Sequence, residues 1–209
     1  MKSKIAIAAI LAASAASAQA QTGFRADVHA GWDQITVQES AEIEDEAFSG
    51  KERESGVVYG GELGYDHSFG MVSLGAYAGI AGSSTKECSE VYAEVETCAE
   101  AGRNITLGVR GGVNVTPSTL LYVKGGYSNG QLRLNYIDHV DEDNSFGVHE
   151  NMDGYHLGAG VQMTFVSGLY AKLEYVRTDY DDYAISDGDA ALRGGLDRDN
   201  VIFAVGMRF

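Results

Sequence analysis

The sequence predicts an all-β protein: a closed eight-stranded antiparallel up-and-down β-barrel that crosses a membrane on its strands. Three observations carry that expectation. Eight stretches alternate apolar with polar or glycine residues, the mark of strands with two unlike faces. The connections between them are alternately short and long. The acidic residues crowd into the long connections.

The stretches run in order along the chain. In the first, one parity reads Phe24, Ala26, Val28, Ala30, Trp32 and the other reads Arg25, Asp27, His29, Gly31, Asp33. The second sets Val57, Tyr59, Leu63 and Tyr65 against Val58, Gly60, Glu62, Gly64 and Asp66. The third and fourth, over 72–80 and 105–115, set Leu74, Ile80, Leu107 and Val109 against Gly75, Tyr77, Gly79, Gly108 and Arg110. The fifth sets Leu121, Val123 and Tyr127 against Tyr122, Lys124 and Gly126. Its parity then moves to Leu132, Leu134 and Tyr136, and a bulge at Asn129-Gly130 would account for the move. The sixth and seventh, over 155–165 and 169–175, place His156, Tyr170, Lys172 and Glu174 on the polar parity. The eighth is Val201, Phe203, Val205, Met207, Phe209 against Asn200, Ile202, Ala204, Gly206, Arg208. Each stretch supplies the ~9–11 residues that a tilted membrane-crossing strand needs.

The short connections fall at Phe69-Gly70, 116–119 and 166–168. The long ones cover about 38–54, 81–103, 137–153 and 178–199. A soluble sandwich has no reason to gather its long loops at one end, whereas an outer-membrane barrel has short periplasmic turns and long outer loops. Of the 30 acidic residues, 25 lie in the four long connections. The formal charge of −15 argues against a nucleic-acid partner, which calls for a basic face. With 44% hydrophobic residues, the chain can bury a core.

Residues 1–20 have the three parts of a secretory leader: Lys2 and Lys4, a short apolar run over 5–16, and Ala18-Gln19-Ala20 before Gln21. The run is too short to span ~30 Å of hydrocarbon. Cleavage after Ala20 would leave a barrel domain of 21–209 and, by removing both lysines, a charge of −17. In an oxidising compartment the two cysteines, Cys88 and Cys98, are expected to form a disulfide worth roughly 2–3 kcal/mol in the chain-entropy model.

With its leader, eight alternating stretches and terminal run, the chain resembles the OmpA-type and opacity-protein family of small outer-membrane barrels over 23–209. In that family, an ending such as Val201, Phe203, Val205, Met207, Phe209 resembles the signal read by the barrel assembly machinery. The resemblance therefore implies that machinery and periplasmic chaperones as partners, together with outer-membrane lipid and lipopolysaccharide. No peptidoglycan-binding domain is expected after the barrel, so the resemblance does not imply cell-wall tethering.

A barrel of eight strands has room inside for side chains and little else. Counting from the short-turn ends puts Glu62, Arg110, Lys124 and Glu174 at similar depth, where two acids and two bases would meet. Asp27 and Arg208, on the strands that close the barrel, would neighbour each other near the rim. Buried charges need partners, so a salt-bridged plug is expected.

No catalytic set, cofactor or specific metal site is expected. His67-Ser68 resembles the His and Ser used by a barrel-type lipid A deacylase, but adjacent strand residues face opposite sides and this pair adjoins a short turn. The inward His29 and His156 read as lumen packing. Asp141-Glu142-Asp143 and Asp187-Gly188-Asp189 hint at calcium, yet counting from Asp141 puts Phe146 and Met152 where the binding loop needs Gly and Glu. Diffuse divalent-cation bridging of the acidic loops to lipopolysaccharide remains an expectation. The leading functional expectation is a non-enzymatic barrel that supports the envelope and presents acidic loops outside. A cation-preferring small-solute channel and a loop-based adhesin are the alternatives.

Overall fold

The computed structural model describes residues 22–43, 46–92, 95–138, 146–165, 168–181, 183–187 and 190–209. The leader segment, the cluster at 141–143 and Gly188-Asp189 lie outside the described residues. Ten strands occur among them: β1 (Gly23–Ile43), β2 (Glu46–Phe69), β3 (Val72–Ser83), β4 (Lys86–Tyr92), β5 (Val95–Thr116), β6 (Thr119–Asp138), β7 (Phe146–Thr164), β8 (Leu169–Tyr180), β9 (Tyr183–Asp187) and β10 (Ala190–Arg208).

They make a closed eight-stranded antiparallel barrel. The order β1-β2-β3-β5-β6-β7-β8-β10 closes through β1–β10. The two additional strands continue existing staves. β4 pairs with β5 beyond the end of β3, and β9 pairs with β10 beyond the end of β8. Closure removes the sheet edges that an open membrane sheet would leave unsatisfied in lipid. At the last residue, the Phe209 amide donates to the Phe24 carbonyl at 2.8 Å.

The alternation becomes the inside and outside of the barrel. Val28, Leu63, Val109 and Leu157 stand on the outer wall, each about two-thirds exposed or more. Their neighbours Asp27, Glu62, Arg110 and His156 are buried in the lumen. Aromatic residues ring the apolar band at two heights. Trp32, Tyr59, Tyr127, Tyr155 and Tyr175 lie towards the long-hairpin end, and Phe24, Tyr65, Phe69, Phe165 and Phe209 towards the short-turn end. The two-residue turn after β2 uses Gly70 at φ +67°, a left-handed conformation that glycine adopts without cost.

Two sequence expectations are corrected. The segments read as long loops are largely strand. The β1–β2 ladder runs to Ile43↔Glu46 and β1–β10 to Ile43↔Ala190, far past Trp32. Beyond the lipid both faces of a hairpin meet water, so the backbone continues its ladder while the side-chain alternation that marks a strand disappears. The bulge expected at Asn129-Gly130 also belongs elsewhere. β6 pairs with β7 without interruption through Asn129↔Asp153 and Gly130↔Met152. The extra residue sits opposite, on β5, where Ala101↔Leu132 is followed by Asn104↔Gly130. Leu132 therefore keeps the lumen parity and, with Ile35, Met152, Tyr180 and Leu196, lines a small apolar pocket above Arg198.

Candidate functional site in the barrel lumen

The lumen is filled by ion pairs stacked from the turn end to the hairpin end. Nearest the turns, Asp66 receives Arg110 through Nε at 2.8 Å and Nη2 at 2.5 Å, and Arg208 Nη2 at 2.7 Å. Gln162 Oε1 accepts a third bond from Arg110, through Nη2 at 3.1 Å. Above this, Glu62 accepts from Arg25 at 2.5 Å, Lys124 at 2.6 Å and Lys172 at 3.1 Å. Lys172 also lies 3.0 Å from Asp27 and 3.5 Å from Glu174. Tyr170 donates to Asp27 at 2.8 Å and Tyr122 donates to Glu174 at 2.6 Å. Arg25 bridges the two levels through Asp66 at 3.4 Å.

Further up, Lys124 Nζ stands 4.2 Å from the centre of the Tyr77 ring. The Tyr77 hydroxyl is hydrogen-bonded to His156 Nε2, and Ser128 Oγ meets His156 Nδ1 at 2.9 Å. A cavity of about 50 Å³ separates this level from a last cluster, and it has room for a few waters. There Asp33 accepts two bonds from Arg198, at 2.7 and 2.9 Å, and one each from Asn200 at 2.7 Å and Thr85 at 3.0 Å. The paired groups are deeply buried: Tyr170 and Asp66 are 0% exposed, Arg25 1% and Lys172 2%.

Glycine on an intervening strand makes several of these contacts possible. Asp66, Gly75 and Arg110 are successive register partners across β2, β3 and β5. A Cβ on Gly75 would sit 2.2 Å from Asp66 Oδ1, so only a residue without a side chain lets the pair meet over β3. Gly160 does the same between Tyr122 and Glu174, where a Cβ would come within 2.7 Å of the Tyr122 ring.

The family model for the outer membrane protein beta-barrel domain matches residues 5–209. The chain belongs to that family. Among solved structures, it is similar to Neisserial surface protein A (8% identity, 90% of this chain and 98% of that one, TM-score 0.47). It is also similar to OprG from Pseudomonas aeruginosa (10%, 91% and 100%, 0.43) and to Ail of Yersinia pestis (11%, 87% and 99%, 0.40). No curated protein matches the sequence.

Within this outer-membrane barrel, the charged residues singled out from sequence are distributed differently from the expected plug. Glu62, Lys124 and Glu174 come together, but Arg110 does not join them. It lies a layer nearer the turns, on Asp66. Asp27 and Arg208 do not pair either; Asp27 faces Lys172 and Tyr170, and Arg208 faces Asp66. Counting along strands failed because tilted, staggered strands put equal counts at unequal heights. Sequence reasoning left Arg25, Asp33, Asp66, Lys172 and Arg198 out of the network. A signal for the two acids was available. Only five acids fall outside the long connections, namely Asp27, Asp33, Glu62, Asp66 and Glu174, and all five are in the lumen.

Cys88 and Cys98 are directly opposite on the β4–β5 ladder and are joined by a disulfide. Val201, Phe203, Val205 and Met207 are exposed on the outer wall of β10, with Phe209 just beyond the strand. His67 is exposed and meets Phe69 edge-on with ring centres 4.5 Å apart, while Ser68 turns inward to Ser73 at 3.4 Å, so the two share no site. Among the described residues no group of three potential metal ligands occurs.

Beyond the hairpin-end girdle, the β7–β8–β10 sector of the wall is acidic. Arg177 lies 2.7 Å from Asp197, 3.5 Å from Asp179 and 3.9 Å from Asp199. Asp179 is held above the ordinary carboxylate range, first by partial burial and then by Asp197 opposite it. Asp153 is held below it by bonds from Tyr127 and Asn129.

Proposed function

We propose that this barrel is a non-conducting, non-enzymatic component of the outer membrane that reinforces the envelope and holds acidic hairpins outside. The observation that supports this most directly is the burial of the lumen charges. A conducting pore wets its charged lining, whereas Arg25, Lys172, Asp66 and Tyr170 are almost wholly inaccessible from either end. Each carboxylate at the two lower levels has cationic partners, the condition under which buried charge is tolerable.

In this reading the leader over 1–20 is removed on export. The short turns face the periplasm and the hairpins face outwards, as in other barrels of this kind. The run Val201, Phe203, Val205, Met207, Phe209 is the assembly signal, read by the barrel assembly machinery after delivery by periplasmic chaperones. Divalent cations bridge the acidic hairpins to lipopolysaccharide.

Planar-bilayer recording of the purified folded barrel tests the reading. No steady unitary conductance is expected; sustained cation-selective openings would replace the sealed barrel with a small-solute channel. The adhesin alternative rests on the long hairpins, and a cell-binding assay with the β1–β2 hairpin shortened decides it. Loss of binding on shortening would favour adhesion.

A further inference from the structure

The outer wall carries a notch that the sealed lumen does not explain. On β5 the extra residue between Ala101 and Asn104 displaces Gly102 and Arg103 from the regular ladder. At the same height β3 gives way to β4, and Gly82 leaves the wall bare enough for the Tyr59 ring to lie 3.2 Å from where its Cβ would be. The result is a depression of about 390 Å³ across β2, β3, β5 and β6, lined by Tyr59, Ile80, Gly82, Gly102, Arg103 and Arg133. That volume is within the ~300–1,000 Å³ typical of ligand clefts.

Height and charge together define what fits. Tyr59 belongs to the hairpin-end aromatic ring, so the notch opens where lipid headgroups begin. Below it, Ile80 and Leu107 are exposed to acyl chains. The two guanidiniums touch neutral oxygens only at the margin of hydrogen bonding. Arg103 Nη2 is 3.4 Å from Asn151 Oδ1, and Arg133 Nε is 3.4 Å from Gln131 Oε1. Glu100, the register partner of Arg133, is taken by Lys86 at 3.1 Å. Among the described side chains neither arginine has a carboxylate within ion-pair distance, in contrast to Arg177 across the barrel, which is surrounded by three. Two guanidiniums lining one depression are suited to phosphate, which they grip through several charge-assisted bonds.

We propose that this notch binds the phosphate of a phosphorylated glycolipid in the outer leaflet. Arg103 and Arg133 hold the phosphate, Tyr59 covers the sugar, and the acyl chains lie along Ile80 and Leu107. The choice of leaflet rests on the hairpins facing outwards, but the lipid contact itself does not, so a micelle experiment tests the site independently of orientation.

Native mass spectrometry of the folded barrel, released from micelles doped with either diphosphoryl lipid A or its dephosphorylated form, reads the site directly. The wild-type barrel should retain one phosphorylated molecule and little of the dephosphorylated one. R103Q/R133Q should retain about tenfold less, equivalent to 1.4 kcal/mol. R103K/R133K should recover part of the loss and R177Q should match wild type. G82L, which fills the notch without changing charge, should also lose the lipid. Heat-modifiable gel mobility confirms folding of each variant. Equal retention by R103Q/R133Q and wild type, or equal retention of the two lipids, would overturn the assignment. Displacement of the lipid by low-millimolar inorganic phosphate would reassign the notch to a free anion.

Discussion

Asp66 shows how a single residue organises this lumen. One carboxylate, wholly buried, stands against the guanidiniums of Arg110, Arg208 and Arg25. Removing it leaves Arg110 and Arg208 without their carboxylate while Arg25 keeps Glu62, so Asp66→Ala should cost roughly 3–5 kcal/mol, the usual penalty for breaking a buried pair. Urea unfolding of the barrel in lipid vesicles measures this, and a loss below 1 kcal/mol would mean that water already reaches the layer. The outer wall is tested by the opposite substitution. Leu63 is 65% exposed on the apolar band, and Leu63→Arg should cost roughly 2–4 kcal/mol if it meets lipid near midplane. Equal stability of that variant in the same assay would contradict the inside–outside assignment. Parity told which residues face inward, but not which of them touch. Asp66 finds Arg110 because Gly75 clears the strand between them, a relation that joins three separate segments of sequence.

At the scale of elements, the membrane-crossing part of every stave was legible because lipid and lumen demand opposite side chains at alternate positions. Outside the lipid that demand ends. The upper parts of β1, β2, β5, β6, β7 and β10 therefore read as loops in sequence although they continue their ladders. The disulfide fixes one such extension by joining Cys88 on β4 to Cys98 on β5. β10 is the element whose sequence says most. Its outward residues alternate to the last position, and just beyond it the Phe209 amide still bonds β1. Deleting Phe209 removes that contact and the terminal aromatic together. Outer-membrane levels of the truncated protein in cells are expected to fall, as measured by fractionation and immunoblot; unchanged levels would separate the terminal residue from assembly.

At the scale of the whole molecule, charge is sorted by region. The lumen holds Arg25, Arg110, Lys124, Lys172, Arg198 and Arg208 against five acids, close to neutrality. All the remaining acid lies in the four long connections, which turns a formal −15 into a property of the hairpins. Beyond the hairpin-end girdle, Asp179, Asp197 and Asp199 mark the β8–β10 sector, while Arg103 and Arg133 mark the β5–β6 sector. The expected absence of unitary conductance belongs to this scale, because it depends on all the stacked layers together and not on any one pair. The sequence alone determined that the chain forms a barrel, which residues face lipid, and that charged side chains must be neutralised inside. Each of these follows from local alternation between two solvents. The tertiary structure decided which charges pair, where the ladder gains its extra residue and where the wall is notched, because strand tilt and closure set heights that no count along one strand contains.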